Sequence, residues 1–185
     1  MMNALTGTVT SKGIVSGPVQ IIESPKLRFE HQTIAPEQAE DELEKLQKAT
    51  DAAVTQLQKL IDEIPPLYAE KAAIFEAHQT ILHDEELRFL ITKHIQEDNQ
   101  CLPWAIEESY DEFIDILSAV EDPLIRERTS DMRDVRQRLI ACSLGVSVAS
   151  LANLTRPAVV VAKDLLPSDT VVMDPSLVLG IITEK

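Results

Sequence analysis

EKAAIFEAHQTILHDEEL, residues Glu70–Leu87, decides how the rest of the chain is read. Wound at about 100° per residue, it puts Ile74, Ile81 and Leu82 on one side of a helix with the preceding Leu67, and His78 falls near the middle of that side. Asp84, Glu85 and Glu86 follow at once, with His83 just before them. A carboxylate at position 84 can accept from amide groups of the following turn, so a break is expected near His83–Asp84 with a new helix starting there. The break would set an apolar patch, an imidazole and three acids side by side, a surface suited to a basic partner with an apolar centre. A lone histidine in an apolar stripe is, on pattern alone, more often a core residue than a working one, and both readings of His78 stand at this point.

Outward from that stretch, glycine marks the architecture. All five glycines (Gly7, Gly13, Gly17, Gly145, Gly180) lie outside Pro18–Leu144. A glycine-free run of that length, with few β-branched clusters, predicts helix throughout. Pro36 suits the first turn of an opening helix, where its missing N–H costs nothing. Ala39, Leu43, Leu46, Thr50, Ala53, Leu57, Leu60 and Ile64 then alternate at spacings of three and four, a coiled-coil-like seam with Thr50 its polar position. Pro65–Pro66 ends this helix, and the Glu70–Leu87 helix returns, continuing after its break to about Gln96. Pro103 starts a third helix, with Trp104, Ile106, Tyr110, Phe113, Ile114 and Leu117 on its buried side. Pro123 starts a fourth, closed by Gly145 as a C-cap. Four helices with short proline-marked loops predict two antiparallel hairpins or a bundle.

The flanks change character. Leu5–Ser11 and Val19–Ile22 are short β-branched segments joined through KGIVSGP, a hairpin-like signal. Ala158–Ala162 (AVVVA), Val171–Met173 and Val178–Thr183 read as strands bounded by Pro, Asp or Gly, and a continuous apolar run such as AVVVA suits a strand covered on both faces. Strands at both chain ends with helices between them predict one α/β domain interrupted by a helical insertion.

Composition excludes several classes. With 185 residues, 44% apolar and 26% charged, the chain is globular and long enough for a real core. No apolar run approaches membrane-spanning length, and MMNALTGTVTSKG lacks the basic start and apolar centre of a signal peptide. Cys101 and Cys142 are too few and too scattered for a disulfide framework or a metal knuckle, so a reducing, cytoplasmic setting is expected. The net charge of −14 argues against nucleic acid as a partner. Between Glu37 and Gly145 there are 25 acids and 11 bases, and the rest of the chain holds six of each, so all the excess charge sits in the helical middle. Walker, GxGxxG, HExxH, CxxC and GxSxG patterns do not occur, which leaves no sign of an autonomous nucleotide or metal enzyme. Acids at consecutive helical positions 84–86 point in different directions and make a poor cation site. The loop KDLLPSDT, Lys163–Thr170, follows a buried strand, and its Pro, Ser, Asp and Thr read as turn and cap chemistry.

Taken together, SKGIVSGPV, EKAAIFEAHQTILHDEEL, ERTSDMRDVRQRL and VAKDLLPSDT followed by VLGIIT resemble the N-terminal half of Enzyme I, the phosphoenolpyruvate-protein phosphotransferase of the bacterial sugar phosphotransferase system. The pieces occur in that family's order and spacing and span essentially the whole chain. The resemblance implies a swivelling phosphohistidine-type α/β domain formed by residues 1–32 and 146–185. Into it would be inserted a four-helix unit, residues 33–145, that docks the small phosphocarrier HPr. HPr presents its histidine on a basic, partly apolar surface, which suits the acidic insertion. Carried over position by position, Glu70, His78, Asp84, Glu85, Glu86 and Arg128 match the HPr-docking face, with Ile81, Leu87 and Leu117 as apolar contacts. The stripe around His78 would then be a binding groove. Thr170 matches the threonine that hydrogen-bonds the active histidine.

Two departures qualify the match. Lys12 stands where the family usually has proline before the Gly13–Ile14 pair. The strand VLGIIT leads, in the family, into a glycine-rich loop carrying the phosphorylated histidine, and the resemblance places that loop and its histidine beyond Lys185. No histidine here occupies the catalytic position. The phosphoenolpyruvate-binding barrel, with its magnesium and the homodimer contact, is also expected only in the remainder of a longer parent. The chain is therefore expected to be a fragment without cofactor that docks HPr and does no catalysis alone. Two alternatives are the Enzyme I-like region of a multiphosphoryl-transfer protein, such as the donor serving dihydroxyacetone kinase, and a non-catalytic acidic helical adaptor.

Overall fold

The computed structural model describes residues 7–22, 27–146, 154–171 and 173–184. Five α-helices lie between the first two strands of a parallel sheet: α1 (Ala39–Glu63), α2 (Ala72–Leu82), α3 (Glu85–Gln96), α4 (Leu102–Ser118) and α5 (Pro123–Ser143). Short 3-10 turns at Pro36–Gln38 and Pro66–Lys71 lead into α1 and α2. The fold is a small parallel α/β sheet carrying a helical bundle, as expected.

The helix starts and stops are chemical. At the first turn the Gln38 side chain reaches back to accept from the Ala35 N–H at 2.9 Å. Pro65, as expected, ends the run that began there. Asp84 caps α3, its carboxylate accepting from the Leu87 N–H at 2.9 Å, so the break falls where the sequence placed it. Gly145 sits at φ 65°, with the Val146 N–H bonded to the Ala141 carbonyl and its own N–H to Cys142. These two bonds are the Schellman closure, and the left-handed position is one that glycine adopts without steric cost.

Helix α1 supplies the floor of the bundle and touches all four other helices. Leu46, Ala49, Thr50, Ala53 and Leu57 are buried along it, close to the predicted seam, and the Thr50 hydroxyl is satisfied by the Leu46 carbonyl at 2.9 Å. Phe75, Leu82, Leu87, Ile91, Ile95, Ile106, Tyr110, Ile114, Val135 and Leu139 complete the core. The side chain of Leu67 lies outside the described residues. One buried carboxylate is easily misread as surface charge. Glu42, on α1, accepts from the Leu102 N–H at 2.7 Å, so it caps the start of α4 from another helix, while Lys45 holds its second oxygen.

Strands β1 (Val19–Ile22), β2 (Ala158–Ala162) and β3 (Val178–Thr183) form a sheet in the order β1-β2-β3, all parallel. AVVVA is the central strand and is buried, as a run without alternation predicts. After β3 the description ends at Glu184, whose N–H donates to the Lys163 carbonyl at 3.2 Å. Lys185, beyond which the resemblance puts the active histidine, lies outside the described residues.

Three expectations fail. Residues 7–11 carry no strand, and Leu5 and Thr6 lie outside the described residues. The KGIVSGP segment is no hairpin, because β1 pairs in parallel with β2. The chain instead crosses the sheet to reach β3: a Cβ on Gly17 would meet Leu179 at 2.5 Å, and one on Gly180 would meet Val15 at 3.1 Å. Val171 closes a short helix, α6 (Pro167–Val171), in place of the expected strand Val171–Met173, of which Val172 lies outside the described residues. Proline at the first helical position and Asp169 bonding back to the Leu166 N–H at 3.0 Å outweigh the β-branched preference of Val171.

The cap given by Glu42 can be tested in isolation. Glu42→Ala leaves the buried Leu102 N–H without an acceptor and is expected to cost about 1–3 kcal/mol. A urea denaturation series gives the value, with Glu42→Gln falling between the variant and wild type because its amide oxygen can still accept.

Candidate functional site

The α2–α3 elbow concentrates the exposed acids. Asp84 is held at the cap, and Glu85 and Glu86 occupy the first turn of α3, where the helix dipole favours negative charge. They line an open hollow of about 810 Å³ with Glu76, Gln79, Thr80 and His83. The latter four share one polar face of α2 at spacings of three and four, opposite the apolar stripe. That periodicity was the available signal for Glu76, Gln79 and Thr80, which sequence reasoning passed over. Arg88, two residues beyond Glu86, is turned to Gln47 at 2.9 Å, and among the described residues Glu76, Glu85 and Glu86 make no ion pair with a lysine or arginine.

The other residues carried over by resemblance are placed differently. Glu70 is exposed in the turn before α2, and Ile81 and Leu117 are half-buried against the core. Leu87 is buried. His78 has 0% exposure, so the expected open groove around it is not found; Phe75, His78 and Leu82 form the face of α2 that packs inward. The physical reason is that α2 has one apolar face and must bury it against α1 and α5. Asp131, which the sequence reading missed, connects this core histidine to the surface. Its carboxylate lies 3.6 Å from His78 Nε2 through one oxygen and 3.7 Å from exposed Arg128 through the other. Neither ring nitrogen of His78 makes a hydrogen bond, while its ring meets Phe75 edge-on at 6.2 Å. A buried imidazole without partners carries a desolvation cost that a nearby carboxylate offsets only in part.

Thr170 is exposed at the end of α6, its hydroxyl donating to the Pro167 carbonyl at 2.9 Å. Its neighbour Asp169 is half-buried. Burial pushes the Asp169 carboxyl above its ordinary value, against the Leu166 N–H that favours the charge, and Asp134 adds to the rise. Among the described residues no group of three or more His, Cys, Asp or Glu could hold a metal ion. No helix among them is long and apolar enough to cross a membrane.

A parallel α/β sheet with a helical bundle inserted between its first two strands, the bundle bearing an acidic elbow, defines a mixed α/β protein with a large helical insertion. The chain belongs to the family described as PEP-utilising enzyme, N-terminal, whose family model matches residues 6–128. It is 32% identical over 181 residues to a phosphoenolpyruvate-protein phosphotransferase of Haemophilus influenzae, and 31% over 185 residues to one of Listeria monocytogenes. Those alignments cover 97% and 100% of this chain and 32% of each relative, so the chain spans about a third of their length. A solution NMR structure of an Enzyme I protein matches with a TM-score of 0.75 at 30% identity, over 91% of this chain and 68% of that one. The resemblance carried by the sequence motifs is borne out.

The Asp169 shift has a measurable sign. Its pKa is raised in the folded state, so folding favours the protonated form, and stability falls as pH rises from the ordinary value of 3.8 through the folded one. Asp169→Asn keeps an oxygen for the Leu166 N–H and removes the charge. The variant is expected to be more stable than wild type at neutral pH, with the gap in urea midpoints closing as pH falls toward 3.8.

Proposed function

We propose that this chain is the carrier-docking and α/β part of a phosphoenolpyruvate-protein phosphotransferase, and that it docks HPr through the α2–α3 elbow. The observation that carries the reading is the set of exposed, uncompensated acids Glu76, Asp84, Glu85 and Glu86 around one open hollow. Such a surface fits a small basic protein and repels an acidic one. Glu70 and Arg128 would flank the contact, and Ile81 and Leu117 would supply apolar area. Leu87 and His78 would then act from beneath the surface, His78 through Asp131 and Arg128.

In this reading residues 33–145 form the docking unit and residues 1–32 with 146–185 an α/β unit that takes further elements in the whole enzyme. The sheet supports that division. Val19 is 60% exposed, Ile21 63% and Ile182 56%, whereas parallel sheets are normally covered on both faces. The chain's histidines, His31, His78, His83 and His94, all precede α4, so none lies on the sheet or beside Thr170 in sequence. In this reading the phosphoryl-accepting histidine belongs to another part of the enzyme, with Thr170 as its supporting donor. The free thiols Cys101 and Cys142 suit a cytoplasmic setting.

Two experiments test this. Glu85→Lys with Glu86→Lys is expected to weaken binding of labelled HPr at low salt and to flatten its salt dependence, because the lost attraction is screened charge complementarity. Unchanged affinity would remove the elbow from the interface. Phosphorylated HPr carrying radiolabel is expected to leave no stable label on the wild-type chain under alkaline conditions that preserve phosphohistidine. Label on any of its four histidines would overturn the assignment of catalysis elsewhere.

A further inference from the structure

The chain passes between sheet and bundle twice, but the two parts are also tied by side chains. Asp134, on α5, is 2% exposed and accepts two hydrogen bonds from α6. The Ser168 N–H donates to Oδ2 at 2.8 Å and the Ser168 hydroxyl to Oδ1 at 2.9 Å. Ser168 is the second residue of α6, so its N–H is one of the amides that a helix start leaves without an internal acceptor. The acceptor comes from the other part of the molecule. A buried carboxylate holding two donors resists separation, because parting would leave both it and the amide unsatisfied unless water entered. Arg138, one turn further along α5, is also buried and reaches Gln56 of α1 at 3.3 Å. Val171, at the end of α6, packs against the bundle core.

Along α5 the same helix carries Arg128 and Asp131, the residues that connect to His78. Asp134 lies six positions beyond Arg128, roughly 9 Å of helix at the standard rise. A continuous helix thus joins the docking end of the bundle to the tie on α6. Thr170 lies two residues beyond Ser168 and is fixed in turn by its own bond to Pro167.

We infer that Asp134 is a positioning residue: acting through Ser168, it holds α6, and Thr170 with it, in one orientation relative to the bundle and so to a carrier docked at the elbow. The functional sense of the tie rests on the docking reading, while the tie itself does not. It makes the distance between docking surface and Thr170 a property of folded helix and hydrogen bonds, independent of the two covalent crossings.

Residual dipolar couplings measured on the whole chain read this orientation. In the wild type, helices α1–α5 and the sheet are expected to fit one alignment tensor. In Asp134→Asn and in Ser168→Ala they are expected to need two, with amide exchange at Ser168, Asp169 and Thr170 faster by roughly 10- to 100-fold, the range for losing a charge-assisted hydrogen bond. Exchange in α1 stays at the wild-type rate. Ser168→Thr, which keeps the hydroxyl, is expected to restore the single tensor, a rescue that loss of a merely local contact would not require. If Asp134→Asn fails to fold, Ser168→Ala carries the test, because it leaves the buried carboxylate and the amide bond in place. A single tensor retained in Ser168→Ala with unchanged exchange on α6 overturns the inference, as does a wild-type chain that already needs two. The docking reading is judged separately, by HPr titration of the wild-type chain, so the two can fail independently.

Discussion

The bundle depends on α1 offering one narrow face to several neighbours at once. Its buried face sets two alanines, Ala49 and Ala53, between Leu46 and Leu57, and the alanines let the other helices approach where a larger side chain would hold them off. Tyr110, Phe75 and Ile106, from two different helices, fill the space above it. Because α2 must join that packing with its only apolar face, His78 is carried inward along with Phe75 and Leu82. The burial of the histidine follows from the period of the helix. It is not a choice made at the histidine itself.

How much of this was legible follows the same logic. Helix positions could be read because prolines at 36, 103 and 123 and the cap at Asp84 act through local backbone chemistry, which a sequence displays directly. The central strand AVVVA announced its burial by lacking alternation. The misread segments share one feature: their state is decided by partners elsewhere. Residues 7–11 have β-branched character but no ladder to join, and Val171 belongs to α6 because Pro167 and Asp169 set up a turn of helix before the valine pair is reached. Intrinsic strand preference is too weak to decide either case.

The site divides in the same way. Asp84, Glu85 and Glu86 could be picked out because their crowding is visible in one line of sequence. Glu42, Asp131 and Asp134 could not, since an acid within a helix is by default a solvated side chain. Each of the three is instead turned toward a group on a different element: Glu42 to the Leu102 N–H, Asp131 to His78, and Asp134 to Ser168. In none of these pairs do the two residues lie within 30 positions of each other, so no local pattern records them.

Those buried acids change what the charge of −14 means. A large negative excess works against a compact bundle through self-repulsion, and a sequence would ordinarily relieve it with interspersed lysines and arginines. Here part of the negative charge is used inside, where Glu42 and Asp134 satisfy the starts of other helices and Glu42 also holds Lys45. The acids at the elbow have no such internal role apart from the cap of Asp84. Placing Glu85 and Glu86 in the first turn of α3 lowers their cost through the helix dipole, but it leaves their mutual repulsion and that with Glu76 in place. Repulsion that the fold leaves unrelieved at one exposed place is relieved by whatever cation arrives there. The attraction is therefore a property of the free protein before any partner is present, and its range is set by the Debye length, about 8 Å at physiological ionic strength. A partner held only by that field would exchange rapidly.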